Sequence, residues 1–107
     1  MTKKISLAIA AIALVALLAV PALAATKSVT VGDTFFKAKS LTVTHGTTVK
    51  WVWRGKLPHD VRVKSGPAKF HSTVKTKGSF SKTLTRKGTY RIFCSIHPNM
   101  KQTITVR

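Results

Sequence analysis

An all-β fold, a Greek-key β-sandwich of about seven strands, is predicted by three features of this sequence. From Ser28 onward, β-branched and aromatic residues recur at every second position within short runs. Gly and Pro interrupt them at intervals of roughly 8–12 residues, the spacing of short strands and their turns. No part of this stretch sustains a helical period.

The N-terminus stands apart from that pattern. Lys3 and Lys4 precede an uncharged run from Ile5 to Val20, Pro21 breaks it, and Ala22-Leu23-Ala24 supplies the small residues at which a signal peptidase cuts. Residues 1–24 are therefore read as a cleavable signal helix and residues 25–107 as one domain. The apolar run falls short of the roughly 20 residues that span a bilayer comfortably, so a retained membrane anchor is the lesser alternative. The chain is expected to be exported to the periplasm, or anchored at the membrane if the segment is kept.

The strands then follow in turn. Ser28-Val29-Thr30-Val31 alternates polar with apolar and stops at Gly32-Asp33. Leu41-Thr42-Val43 and Thr48-Val49-Lys50-Trp51-Val52-Trp53 flank His45-Gly46, a tight connection. Val61-Arg62-Val63-Lys64 alternates until Ser65-Gly66-Pro67, and Phe80, Lys82 and Leu84 mark another run. Lys87-Gly88 turns into Thr89-Tyr90-Arg91-Ile92-Phe93-Cys94, and Gln102-Thr103-Ile104-Thr105-Val106 closes the chain. The expected arrangement is an antiparallel sandwich, with Trp51 and Trp53 in its core.

Strand phase brings chemically active side chains together. Tyr90, Ile92 and Cys94 share one face, as do His59, Val61 and Val63, with Asp60, Arg62 and Lys64 opposite. With apolar faces inward, His59 at the start of one strand and Cys94 at the end of another meet at one pole of the sandwich.

Composition narrows the function classes. The 107 residues allow one small domain. A single cysteine excludes an intrachain disulfide and a four-cysteine zinc module. Asp33 and Asp60, the only two acids, leave little room for a two-carboxylate hydrolase. Removing residues 1–24 takes away two lysines, leaving 17 basic against 2 acidic side chains, a charge of +15. So small a domain has a thin core, and a bound metal is an effective staple.

Cys94-Ser95-Ile96-His97-Pro98-Asn99-Met100 is the segment that carries chemistry. With inward His59 it supplies one thiolate, two imidazoles and one thioether, a soft set that selects copper or another soft metal. Two His and one Cys in a plane with a weak axial Met form a type 1, blue-copper arrangement. His45, beside a glycine in a turn, and His71, in a Lys-rich connection, read instead as surface residues.

These residues resemble those of a small cupredoxin of the amicyanin, pseudoazurin and plastocyanin group. The likeness runs from about Phe35 to Val106 through Phe35-Phe36, Leu41-Thr42-Val43, Gly46 to Trp53, Pro58-His59-Asp60-Val61, Gly88-Thr89-Tyr90 and the Cys94 loop. It implies one copper ion held by His59, Cys94, His97 and Met100, and an electron carrier rather than an enzyme. The Cys94 loop has the short amicyanin spacing. Asp60 stands where many relatives have Asn, and its carboxylate can accept from Ser95. Ile96 stands where a Pro is frequent, so its N–H is available to the Cys94 sulfur.

The function expected is one-electron transfer between exported or membrane redox partners. The resemblance places the exit at His97, in an apolar patch with Leu57, Pro58 and Pro98. The positive charge selects a redox protein with an acidic surface, or an anionic membrane surface, for a monomeric carrier. Copper delivery in the periplasm is the alternative. A cationic polyanion-binding module ranks lower, because no aromatic-plus-basic stripe stands out and no nucleic acid partner is expected.

Overall fold

The structure is a computed structural model that describes residues 25–107; the expected signal helix, residues 1–24, lies outside the described residues. Each predicted run forms a strand, and one short strand is added. In order they are β1 (Thr26–Val31), β2 (Phe36–Lys37), β3 (Ser40–Val43), β4 (Thr47–Trp53), β5 (Arg62–Ser65), β6 (Ser79–Leu84), β7 (Gly88–Phe93) and β8 (Lys101–Val106).

They make two four-stranded sheets, ordered β2-β1-β4-β6 and β3-β8-β7-β5. Both sheets are mixed: β1 runs parallel to β4, and β3 parallel to β8, the remaining pairs being antiparallel. The expected all-antiparallel arrangement fails at those two pairs. Period-two alternation fixes which side of a strand is buried, not the direction of its neighbour.

The tight connection between β3 and β4 is real, but it is a crossing between sheets rather than a hairpin. Thr47 N–H donates to Thr44 O at 3.1 Å, and Gly46 sits at φ +89°, a region that penalises a side chain with a Cβ.

Alternation explains the packing. In β4, Val49, Trp51 and Trp53 are buried while Lys50 is exposed; in β7, Tyr90 and Ile92 are buried while Arg91 is exposed. Leu84, Val106 and Ile104 complete the same core, each such side chain contributing about 1.5–3 kcal/mol by its burial. Phe70, in the long β5–β6 connection, folds over this core with ring centroids 6.1 Å from Trp51 and 6.2 Å from Tyr90.

One polar residue joins the layers. Gln102, on β8 and 2% exposed, accepts from Trp51 Nε1 at 3.0 Å and donates to Ala38 O at 2.7 Å. That ties β4 of one sheet and the β2–β3 connection to β8 of the other. Gln102→Leu, which keeps the volume but orphans both partners, is expected to lower stability by about 1–3 kcal/mol in chemical denaturation. Unchanged stability would mean that this inter-sheet bond contributes nothing.

Candidate metal centre

Two segments build one pole of the sandwich. The first is the approach to β5. His59 lies three residues before that strand, in an isolated bridge with Lys75: His59 N–H donates to Lys75 O, and Lys75 N–H to His59 O, both at 2.9 Å. Its carbonyl accepts from Trp53 Nε1 at 3.2 Å, and the neighbouring Val61 N–H donates to Ser72 Oγ at 3.0 Å. A short peptide segment is thereby held on both sides by the β5–β6 connection and the core.

The second segment follows β7. Cys94 continues the inward phase of Tyr90 and Ile92 and is fully buried. From Cys94 to Met100 the chain makes a compact loop, closed at its neck by Cys94 N–H to Met100 O at 3.1 Å and stiffened by Met100 N–H to His97 O at 2.9 Å. Met100, 2% exposed, is part of the core, whereas His97 is only partly buried.

These segments bring three potential ligand atoms together. His59 Nδ1 lies 3.1 Å from His97 Nδ1 and 3.8 Å from Cys94 Sγ, and His97 Nδ1 lies 4.0 Å from the sulfur. A point equidistant from three atoms so spaced is roughly 2.1 Å from each, within the range of metal–imidazole and close to that of metal–thiolate bonds. Among the described residues this is the group of His, Cys and acidic side chains that could hold a metal ion. The site chemistry fits a soft metal.

Residues 24–107 match the sequence model of the copper binding proteins, plastocyanin/azurin family. The chain belongs to that family. It is 30% identical to amicyanin-alpha of Methylorubrum extorquens, a match covering 92% of each chain. Amicyanin of Paracoccus denitrificans is 32% identical over a stretch that covers 66% of this chain and 57% of that one. The fold is similar to that of a solved oxidized amicyanin variant carrying a proline-to-alanine change, with a TM-score of 0.69 and 29% identity over 77% of this chain and 82% of that one. This cupredoxin's metal is copper.

The four residues singled out in the sequence thus divide into three whose potential ligand atoms converge, and Met100, buried where the Cys94 loop ends. His45 is exposed, its Nδ1 2.9 Å from Arg107 O, and His71 is exposed too. His97 is flanked in its loop by exposed Ile96 (42%) and Pro98, while Leu57, 44% exposed, and exposed Pro58 precede His59. Thr34, Ile96, Pro98 and Asn99 border a shallow depression at the histidine.

Two expectations are corrected. Asp60 does not face outward with Arg62 and Lys64 but is fully buried. The β5–β7 register pairs Arg62 with Phe93, and continuing it two residues sets Asp60 against Ser95. The carboxylate accepts from Ser95 N–H at 2.7 Å, Ser95 Oγ–H at 2.6 Å and Arg62 Nε at 2.8 Å, enough donors to hold a buried charge. The expectation that Asp60 accepts from Ser95 is met. The second correction concerns Ile96: its N–H makes no hydrogen bond to the Cys94 sulfur, which has the two imidazole Nδ1 atoms within 4.0 Å.

What the pattern of alternation missed was this buried carboxylate. A signal for it existed, since Asp60 is one of only two acids in a strongly basic chain and sits between buried His59 and Val61.

The electrostatics follow from these contacts. Burial, reinforced by His97, holds His59 below the ordinary imidazole range, although Asp33 and Asp60 pull the other way. For Asp60, burial pushes upward, but the Ser95 hydroxyl, the Ser95 N–H and Arg62 outweigh it and leave the carboxyl below its usual value. Asp33 is lowered by the N–H groups of Leu57 and Lys56.

Both His59 and Asp60 bind protons less readily folded than unfolded, so stability must fall with acidification. For the metal-free protein the loss begins below the ordinary imidazole value of 6.5, as unfolded chains take up a proton that folded His59 resists. A second loss begins below the ordinary carboxyl value of 3.8 and completes as pH falls through the lower folded pKa of Asp60. Urea midpoints between pH 7.5 and 3 should show both stages. His59→Gln should flatten the first and leave the second; a first stage unchanged in that variant would assign it elsewhere.

Proposed function

We propose that this cupredoxin carries single electrons, with copper held by Nδ1 of His59, Sγ of Cys94, Nδ1 of His97 and the thioether of Met100. The observation that carries the reading is the triangle of two imidazole nitrogens and one thiolate sulfur, 3.1–4.0 Å on a side, fixed at the end of a β-sandwich. When bound, copper supplies a Cu(II)/Cu(I) couple. Everything else is the work of the chain.

Cys94, deprotonated on metal binding, supplies the strongly donating sulfur, and Met100 a weak contact that tunes the couple. His59 is immobilised by its backbone bridge to Lys75 and by the Trp53 N–H on its carbonyl. The loop from Cys94 to Met100 is tied at its neck, and Asp60 clamps Ser95 to the His59 segment. Ligands so held shift little when charge changes, which keeps reorganisation small. Protein side chains fill the site, which argues for a carrier rather than an enzyme.

His97, partly exposed between exposed Ile96 and Pro98, is the point at which an electron would pass to a partner. A small apolar contact suits a brief redox encounter. The expected charge of +15 for residues 25–107 favours a partner with an acidic surface, whose field would speed approach. Export to the periplasm, with cleavage after Ala24, rests on the basic, apolar and small-residue segments of residues 1–24.

Cu(II) added to the domain should produce an intense visible thiolate-to-copper band and a reversible one-electron wave. Cys94→Ser should abolish the band; Met100→Gln should keep it with altered shape and potential. Electron exchange with an acidic redox protein should slow as ionic strength rises. Absence of the band on Cu(II) addition, or its persistence in Cys94→Ser, would overturn the ligand set.

A further inference from the structure

Both acidic side chains of this basic chain lie beside His59. The Asp60 carboxylate is satisfied by Ser95 and Arg62, and that of Asp33 stands apart from those contacts. It stands in the turn after β1, and that turn is closed without it by Gly32 N–H donating to Phe35 O at 2.9 Å. The Asp33 carboxylate instead reaches a different segment. Its Oδ1 accepts from the backbone N–H groups of Lys56 at 2.7 Å and Leu57 at 3.0 Å. A Cβ added at Gly55 would collide with that carboxylate, so the segment before His59 is shaped to admit it.

The same Oδ1 lies 3.8 Å from Nε2 of His59. Nε2 is buried and has no hydrogen-bond partner, and the ring as a whole is inaccessible to solvent. The other nitrogen, Nδ1, faces Cys94 and His97. If Nδ1 is the ligand atom, the neutral ring carries its proton on Nε2, and a buried N–H needs an acceptor. Asp33 is the acceptor within reach.

We infer that Asp33 is a positioning residue of the copper centre: its carboxylate takes the Nε2–H of His59, fixing the tautomer and ring orientation and placing a negative charge behind this ligand. The inference rests on the proposed assignment of His59 as a ligand. Acceptors of this kind fix a metal-bound imidazole and raise its basicity. At 3.8 Å the contact is too long for a hydrogen bond, and a small tilt of the ring or carboxylate closes it. A negative charge there stabilises Cu(II) more than Cu(I), so it lowers the midpoint.

The test uses two variants. Asp33→Asn keeps an oxygen for the Lys56 and Leu57 N–H groups and an acceptor for Nε2–H but removes the charge; Asp33→Ala removes both. Both should retain the visible copper band, whose absence even in the parent protein would instead refute the ligand set. Asp33→Asn should raise the midpoint by about 59 mV, equivalent to a tenfold change in relative preference for the two copper states. In the diamagnetic Cu(I) form, ¹H–¹⁵N spectra of the parent should show a slowly exchanging His59 Nε2–H, and Asp33→Ala should speed its exchange at least about tenfold. A midpoint unmoved in Asp33→Asn, or parent-like exchange in Asp33→Ala, overturns the assignment.

Discussion

The buried carboxylate of Asp60 is the contact on which the geometry of this pole depends. It joins the peptide that carries His59 to the one that carries Cys94 and His97, segments 35 residues apart, through Ser95 N–H and Oγ–H. A charge in so dry a place must be fully satisfied or it destabilises, and Arg62 supplies the third donor. Each charge-assisted bond contributes about 1.5–3 kcal/mol net. The register of β5 against β7 brings the segments alongside; Asp60 then sets their separation where the strands have ended.

The sandwich contributes in a different way. Its sheets deliver both strand ends to the same pole with the correct faces inward, and the thin core between them is reinforced by Gln102 and by aromatic rings around Phe70. A domain of this size has limited burial to hold loops in place. Short backbone bonds take over at the pole: the His59–Lys75 bridge on one side and the Cys94–Met100 neck on the other. Metal binding to such a frame adds to folding stability, since the ligands are not assembled in the unfolded chain.

Most strands and the site could be read from residue types. The alternation of Val49, Trp51 and Trp53 against Lys50, and of Tyr90, Ile92 and Cys94 against Arg91, specifies which side is buried, and the structure follows it. The spacing of Cys94, His97 and Met100 was legible because a short loop keeps candidate ligands close in sequence. Strand direction was not legible, since the partners of β1 and β3 are chosen by how the chain crosses between sheets. Nor was the burial of Asp60, because alternation applies within strands and β5 begins only at Arg62. Gln102 and the carboxylate of Asp33 find their partners far away in the chain, at Trp51, Ala38, Lys56 and Leu57, and no local pattern announces such pairs.

A strongly basic chain that keeps its only two carboxylates beside one histidine has an uneven field: positive over its surface and negative behind the ligands. On the proposed function the first would suit approach by an acidic partner and the second would favour the oxidised ion, and neither matters unless the frame holds still as charge comes and goes. X-ray absorption of the copper-loaded domain in both oxidation states tests that rigidity most directly. Two nitrogens and the Cys94 sulfur, with a longer, weaker contact from the Met100 sulfur, are expected around copper in each state, with nearly unchanged bond lengths. Loss of an imidazole, or entry of a water ligand on reduction, would contradict that expectation.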